Sequence, residues 1–213
     1  KGKIVYINEK TLENTQAKYA GKLKGATVML GEMTSLPTLF ESLAKRYSDS
    51  ELLKMADDIE KDGRYANARE RFRNSPGYKS YVERLKTMAW VNAQQPSLII
   101  EAGGGRGGVY NSGIVAVQGA SMPIADTADI FSKKNPKAYA VDAQVITPQI
   151  VIDAEQFNQI ARMIGSGAEV SLECNLDVEW QTKDTKAYNT VAEWEGTDLK
   201  DQVVMAGGHL DSW

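Results

Sequence analysis

The chain has 213 residues, 42% apolar and 25% charged, a balance that excludes a disordered polar chain and supplies enough apolar side chains for a sizeable core. Its 25 basic and 28 acidic residues sum to a formal charge of −3, without the basic excess expected of a nucleic-acid binder. No apolar run approaches the ~18 residues that span a bilayer, and a single cysteine, Cys174, excludes an internal disulfide.

The chain opens with two short β-type segments, residues 3–7 and 27–30, the second punctuated by Gly21, Gly25 and Gly31. Ser48-Asp49-Ser50-Glu51 is a capping box, and Leu52, Ala56 and Ile59 continue it at helical spacing until Gly63. Pro76 and Gly77 are expected to break the next charged stretch. Tyr78, Tyr81, Val82, Leu85, Met88 and Ala89 then mark one face of a second helix. Residues 41–92 thus read as a helical excursion from a mostly β region.

Strand signals resume at Leu98-Ile99-Ile100, followed by a glycine-rich turn over 103–108 and a strand over 113–119. Asp153-Ala154-Glu155-Gln156 is a second capping box, with Phe157, Ile160, Ala161 and Ile164 on the helix behind it. Val170, Leu172, Cys174, Leu176, Val178 and Trp180 alternate with polar residues, which predicts a long strand with one buried and one wet face. Residues 181–188 read as a polar linker. Beyond them, 190–195 and 203–207 are expected to be strands, the second apolar throughout and so covered on both faces.

Most candidate sites reduce to structure. The 103–108 loop with Arg106 lacks the Gly-Lys-Ser/Thr that opens a helix in a phosphate loop, and reads as a plain connection. The acidic row Glu169, Glu173, Asp177 and Glu179 reads as a solvated sheet face. Arg64, Arg69, Arg71 and Arg73, interleaved with Glu70, read as a solvated helix surface. Cys174 is expected on a buried face as an inert thiol, and Ser212 lacks the nucleophile elbow. His209, the only histidine, stands apart. It follows an apolar run and two glycines, and Asp211 two residues on points the same way in extended chain. A carboxylate so placed accepts the second imidazole N–H and leaves the other nitrogen for a metal.

Gly207-Gly208-His209-Leu210-Asp211-Ser212-Trp213 resembles the first metal motif of the co-catalytic zinc exopeptidases, the aminopeptidase-type metallopeptidases, and most of all their carboxypeptidase Q-like branch. Asn189-Thr190-Val191-Ala192-Glu193, Gly196 and Gln202-Val203-Val204 resemble the strand pair leading into that motif. Pro148-Gln149-Ile150-Val151-Ile152 with the helix after it resembles the end of the family's protease-associated domain. Lys22-Leu23-Lys24-Gly25 and Arg46-Tyr47-Ser48-Asp49-Ser50-Glu51-Leu52 resemble its beginning. The resemblance runs along nearly the whole chain and is tightest over 186–213.

The resemblance implies an α+β fold. Residues 1–185 would be a β-rich protease-associated-like domain with a helical insertion at about 41–92. Residues 186–213 would be the first strands of an α/β zinc-peptidase core. It makes His209 a zinc ligand and Asp211 the carboxylate that orients it. The family's remaining groups come later in its sequence: an Asp bridging two zinc ions, a Glu–Glu pair, a further Asp and a further His. The resemblance therefore implies a parent exopeptidase acting on terminal peptide bonds through water activated by two zinc ions. In it, the protease-associated domain would lie over the active-site mouth and shape access for the peptide substrate. Lacking an initiator Met and a polar tail, the chain reads as a piece of a longer protein, expected to be inactive and to bind no tight zinc alone. Its partner would be the rest of the peptidase domain, and the family expectation is a secreted or periplasmic protein. Another reading is a non-catalytic peptide- or protein-binding module of a peptidase homologue.

Overall fold

The computed structural model describes residues 2–36, 40, 46–62, 68–103, 116–117, 122–124, 130–132, 134–138, 140, 142–179, 183–184, 186, 188–199 and 201–208. The chain divides into two compact units, Lys1–Leu176 and Asp177–Trp213.

The first unit is built on strands rich in β-branched residues. In chain order its elements are β1 (Gly2–Ile7), α1 (Leu12–Tyr19), β2 (Thr27–Leu30), α2 (Asp49–Asp62), α3 (Ala68–Arg73), α4 (Pro76–Ala93), β3 (Leu98–Ala102), β4 (Ala116–Val117), β5 (Gln149–Ile152), α5 (Ala154–Gly165) and β6 (Ser171–Leu172). They form a sheet ordered β4-β5-β3-β2-β1-β6. The four central strands are parallel, with Val5 opposite Val28, Val28 opposite Ile99 and Ile100 opposite Ile150. The edge strands β4 and β6 run antiparallel to their neighbours.

Strand periodicity divides the core in two. Val5 and Ile7, Val28 and Leu30, and Ile99 face one side, where Tyr19 and Leu23 of the α1 region and Met88 and Val91 of α4 cover them. Ile4, Met29, Leu98, Ile100, Ile150 and Ile152 face the other, where Phe157, Ile160 and Ile164 of α5 cover them. A parallel sheet needs this double cover, because its crossovers lay helices on its faces. The result is a mixed helix–sheet fold whose centre is parallel.

The helices start where side chains satisfy their first amides. Ser48 Oγ accepts from Glu51 N at 3.4 Å, and Glu51 Oε2 accepts from Ser48 N at 2.9 Å, the reciprocal box expected for α2. Asp153 accepts from Glu155 N and Gln156 N at 2.8 and 3.2 Å, as expected for α5. The sequence reading overlooked α1, whose cap is Thr11, accepting from Asn14 N at 3.3 Å. Gly21, at φ +73°, then turns the chain toward β2 through backbone that L side chains resist.

Pro76 and Gly77 mark the expected break, between α3 ending at Arg73 and α4 beginning at Pro76, where proline fits a first turn whose N–H groups have no intrahelical partner. Two expectations change. Within the stretch read as an excursion, α4 is the crossover from β2 to β3 and supplies buried Leu85, Met88 and Val91 to the core. The long strand expected over 170–180 shortens to β6, although Val170, Leu172 and Leu176 still pack against the second cluster. Of the strand expected over 113–119, β4 lies among the described residues. Gly63, the expected stop of α2, and residues 113–115 and 118–119 lie outside them.

In the second unit, the described residues of 190–195 and 203–207 form no strand. Trp194, Val204 and Met205 are almost fully exposed, at 98%, 98% and 88%. An apolar run makes a buried strand only where sheet neighbours satisfy its backbone and cover its side chains, and the described residues of this unit supply neither.

Phe157 is completely buried and meets the Tyr6 ring edge-on at 6.0 Å. Phe157→Ala is expected to lower stability by about 3–5 kcal/mol through lost burial and the cavity left behind, measured by urea denaturation. Leu53→Ala, at a position 70% exposed, is expected to change it by less than about 0.5 kcal/mol.

Candidate functional site

In open α/β sheets ligands gather beyond the carboxyl ends of parallel strands. Here that edge carries the residues after Ile7, Leu30, Ala102 and Ile152. Its polar groups are largely engaged with one another. After β1, Lys18 meets Glu9 at 2.6 Å and Lys10 meets Glu32 at 3.3 Å. The hydrogen bond to Glu9 raises the Lys18 pKa. Glu83 of α4 accepts from Leu12 N at 3.0 Å, which ties α4 to the start of α1.

Two buried polar side chains anchor this edge. Glu101, in the otherwise apolar run Leu98-Ile99-Ile100-Glu101-Ala102, is 7% exposed. Arg84 of α4 donates to its Oε1 through both Nε and a terminal nitrogen, while Oε2 is buried without a partner among the described residues. Asn158 of α5, 6% exposed, holds Thr34 from both sides: its Oδ1 accepts from Thr34 N at 2.9 Å and its Nδ2 donates to Thr34 O at 2.7 Å. The side-chain amide thus imitates a strand neighbour for the segment after β2. The sequence reading missed both. A lone Glu in an apolar strand was a visible signal for the first. Nothing local signals the second, since its partners lie 124 positions apart.

His209, Asp211 and Ser212 lie outside the described residues, as do Arg64 and the 104–108 part of the glycine-rich turn with Arg106. Glu169, Glu173, Asp177 and Glu179 are exposed, as a solvated face requires. Arg71 and Arg73 are exposed on α3, and the Arg73 guanidinium lies over the Phe131 ring at 5.5 Å. The Arg69 side chain lies outside the described set. Cys174 is exposed, not buried. β6 ends at Leu172, so the alternation that would have turned the thiol inward is not enforced by a ladder at 174.

Among the described residues no three His, Cys, Asp or Glu side chains gather where one metal ion would sit. A catalytic zinc takes three protein ligands, so the described donors do not fit one, and the chain has a single histidine. Among the described residues no helix is long and apolar enough to cross a membrane.

No protein-family model matches the chain, and no solved structure matches it. Among curated proteins it is similar to carboxypeptidase Q. With the Homo sapiens protein it is 35% identical over 66 residues, 31% of this chain and 14% of that protein. With the Bos taurus protein it is 30% identical over 98 residues, 45% of this chain and 21% of that protein. Part of the chain is therefore peptidase-related. The matched stretch spans a seventh to a fifth of these relatives' length, and less than half of this chain, narrower than the resemblance read from the sequence.

Two outcomes test the edge. Arg84→Met leaves the buried Glu101 carboxylate without its charged partner, and a loss of about 2–3 kcal/mol is expected in urea denaturation. Replacing both residues by Met should recover most of it. Tyr6 titrates above the 10.0 usual for tyrosine, chiefly because burial penalises the phenolate and then because Glu32 is near. A raised native value gives stability that is full below the unfolded-state pKa and is lost as pH rises through the folded one. Alkaline denaturation should accordingly begin above about pH 10, and Tyr6→Phe should flatten it.

Proposed function

We propose that this chain is part of a zinc-dependent exopeptidase whose complete form hydrolyses terminal peptide bonds. The observation that carries the reading is the similarity to carboxypeptidase Q. The Gly207-Gly208-His209-Leu210-Asp211 motif supports it. In this reading His209 is one zinc ligand and Asp211 holds its ring in the metal-binding tautomer. The remaining donors belong to the rest of the peptidase domain, because one histidine cannot complete a zinc site. Residues 1–185 act as a protease-associated-like domain at the mouth of the site and limit which peptides enter. Residues 186–213 begin the peptidase core. The uncovered Val203, Val204 and Met205 suit a segment that becomes a buried strand once its sheet neighbours are in place. The protein carrying the complete site is secreted or periplasmic.

The test has two arms. In the full-length protein, His209→Ala is expected to lower zinc content and abolish peptidase activity while the fold survives. Asp211→Asn is expected to weaken metal binding by about 10–100-fold. The 213-residue chain alone should show no peptidase turnover and no tight zinc in calorimetric titration. A His209→Ala enzyme with full metal and activity refutes the assignment, and so does one-to-one zinc binding by the chain alone that His209→Ala removes.

A further inference from the structure

A cleft of about 410 Å³ lies on the first unit between the last turn of α4 and the segment leading into β5. One wall is Ala89, Asn92 and Ala93, with Gln95 and Pro96 just after the helix. The other is residues 144–147. Its size falls in the range of natural ligand pockets.

Three features select its occupant. First, none of the described lining residues is charged. An anion or cation entering would lose hydration without a counter-charge, so the lining favours a neutral ligand. Second, among the described residues the main-chain groups of Gln144, Val145 and Ile146 have no hydrogen-bond partner, and Val145 is 94% exposed. The chain gains its first ladder bond only at Pro148, whose carbonyl accepts from Ile99 N at 2.9 Å. Three successive residues thus present donors and acceptors beside the cleft. Third, Asn92 donates to Met88 O at 3.0 Å, while its Oδ1 is closed off from solvent with no donor among the described residues. That acceptor gains a partner if the wall shifts to admit a ligand N–H. Gln95, in left-handed backbone at φ +56°, carries a further amide to the rim.

We propose that this cleft binds an extended, uncharged peptide segment. Its main chain pairs with residues 144–146 as an added strand, and its small aliphatic side chains rest on Ala89, Ala93 and Pro96. Adding a strand supplies affinity through main-chain bonds, while the shallow apolar wall sets side-chain size. The proposal is independent of the peptidase reading, because neither zinc nor turnover enters it.

The probe is the capped, uncharged peptide acetyl-Ala-Val-Ala-Val-amide, titrated into the ¹⁵N-labelled 213-residue chain. Saturable shifts are expected at the amides of residues 144–146 and at Asn92 and Ala93, with slowed hydrogen exchange at Val145. Ala93→Arg fills the cleft from an exposed position and should weaken binding at least about tenfold. Val145→Pro removes one strand-pairing donor and should weaken it as well. Both variants are checked for an unchanged spectrum elsewhere. The proposal is overturned by the absence of saturable shifts up to ~10 mM, the weak limit expected for so small a ligand. It is equally overturned by shifts that Ala93→Arg leaves unchanged, or by equal binding of acetyl-Asp-Asp-Asp-Asp-amide.

Discussion

The first unit depends on one constraint: its central strands run parallel and are buried on both faces. Parallel neighbours cannot be joined by tight turns, so each connection must leave the sheet and return. The returning segments bring α1 and α4 to one face, and the chain after β5 lays α5 on the other. Because successive side chains alternate, β1, β2 and β3 each contribute to both cores at once. Ile99 packs with Met88 and Val91 while its neighbours Leu98 and Ile100 pack with Phe157. A one-residue slip would exchange the two sets, so the helices and the sheet fix each other's register.

That constraint also explains where polar groups are tolerated inside. Glu101 takes a position on the α4 side of β3, where an apolar residue would continue the pattern, and Arg84 of α4 reaches it. Asn158 lies on the opposite side, in α5, and binds the main chain of Thr34. One polar anchor thus joins each helical layer to the sheet or to its carboxyl edge. Apolar packing alone is non-directional, and hydrogen bonds of this kind specify where an element sits.

The second unit shows the same physics from the other direction. Its composition is that of strands, yet Val203, Val204 and Met205 are exposed. Strand propensity reflects fit to a half-buried, paired surface more than an intrinsic backbone preference. The motif Gly207-Gly208-His209-Leu210-Asp211 follows directly on this run. The histidine–carboxylate pairing is therefore a statement about residue types and spacing, which is chemistry that a sequence carries by itself.

The sequence by itself determined the local elements. Both helix N-caps form as read, because a cap is a contact among four consecutive residues and needs nothing distant. The apolar runs at 27–30 and 98–100 become strands as read, since their residue types suit a doubly covered sheet, whereas β5 at Gln149–Ile152 was not read as one. The partial likeness to carboxypeptidase Q was legible in the sequence, while His209 and Asp211 were read as a motif and lie outside the described residues. Only the tertiary structure decided that β1, β2, β3 and β5 lie parallel and adjacent, that α4 is a core crossover, and that Cys174 faces solvent. Each of these depends on which distant segment arrives as a neighbour. Ile100 opposite Ile150 and Asn158 on Thr34 are separated by 50 and 124 positions, and no local pattern encodes a partner that far away.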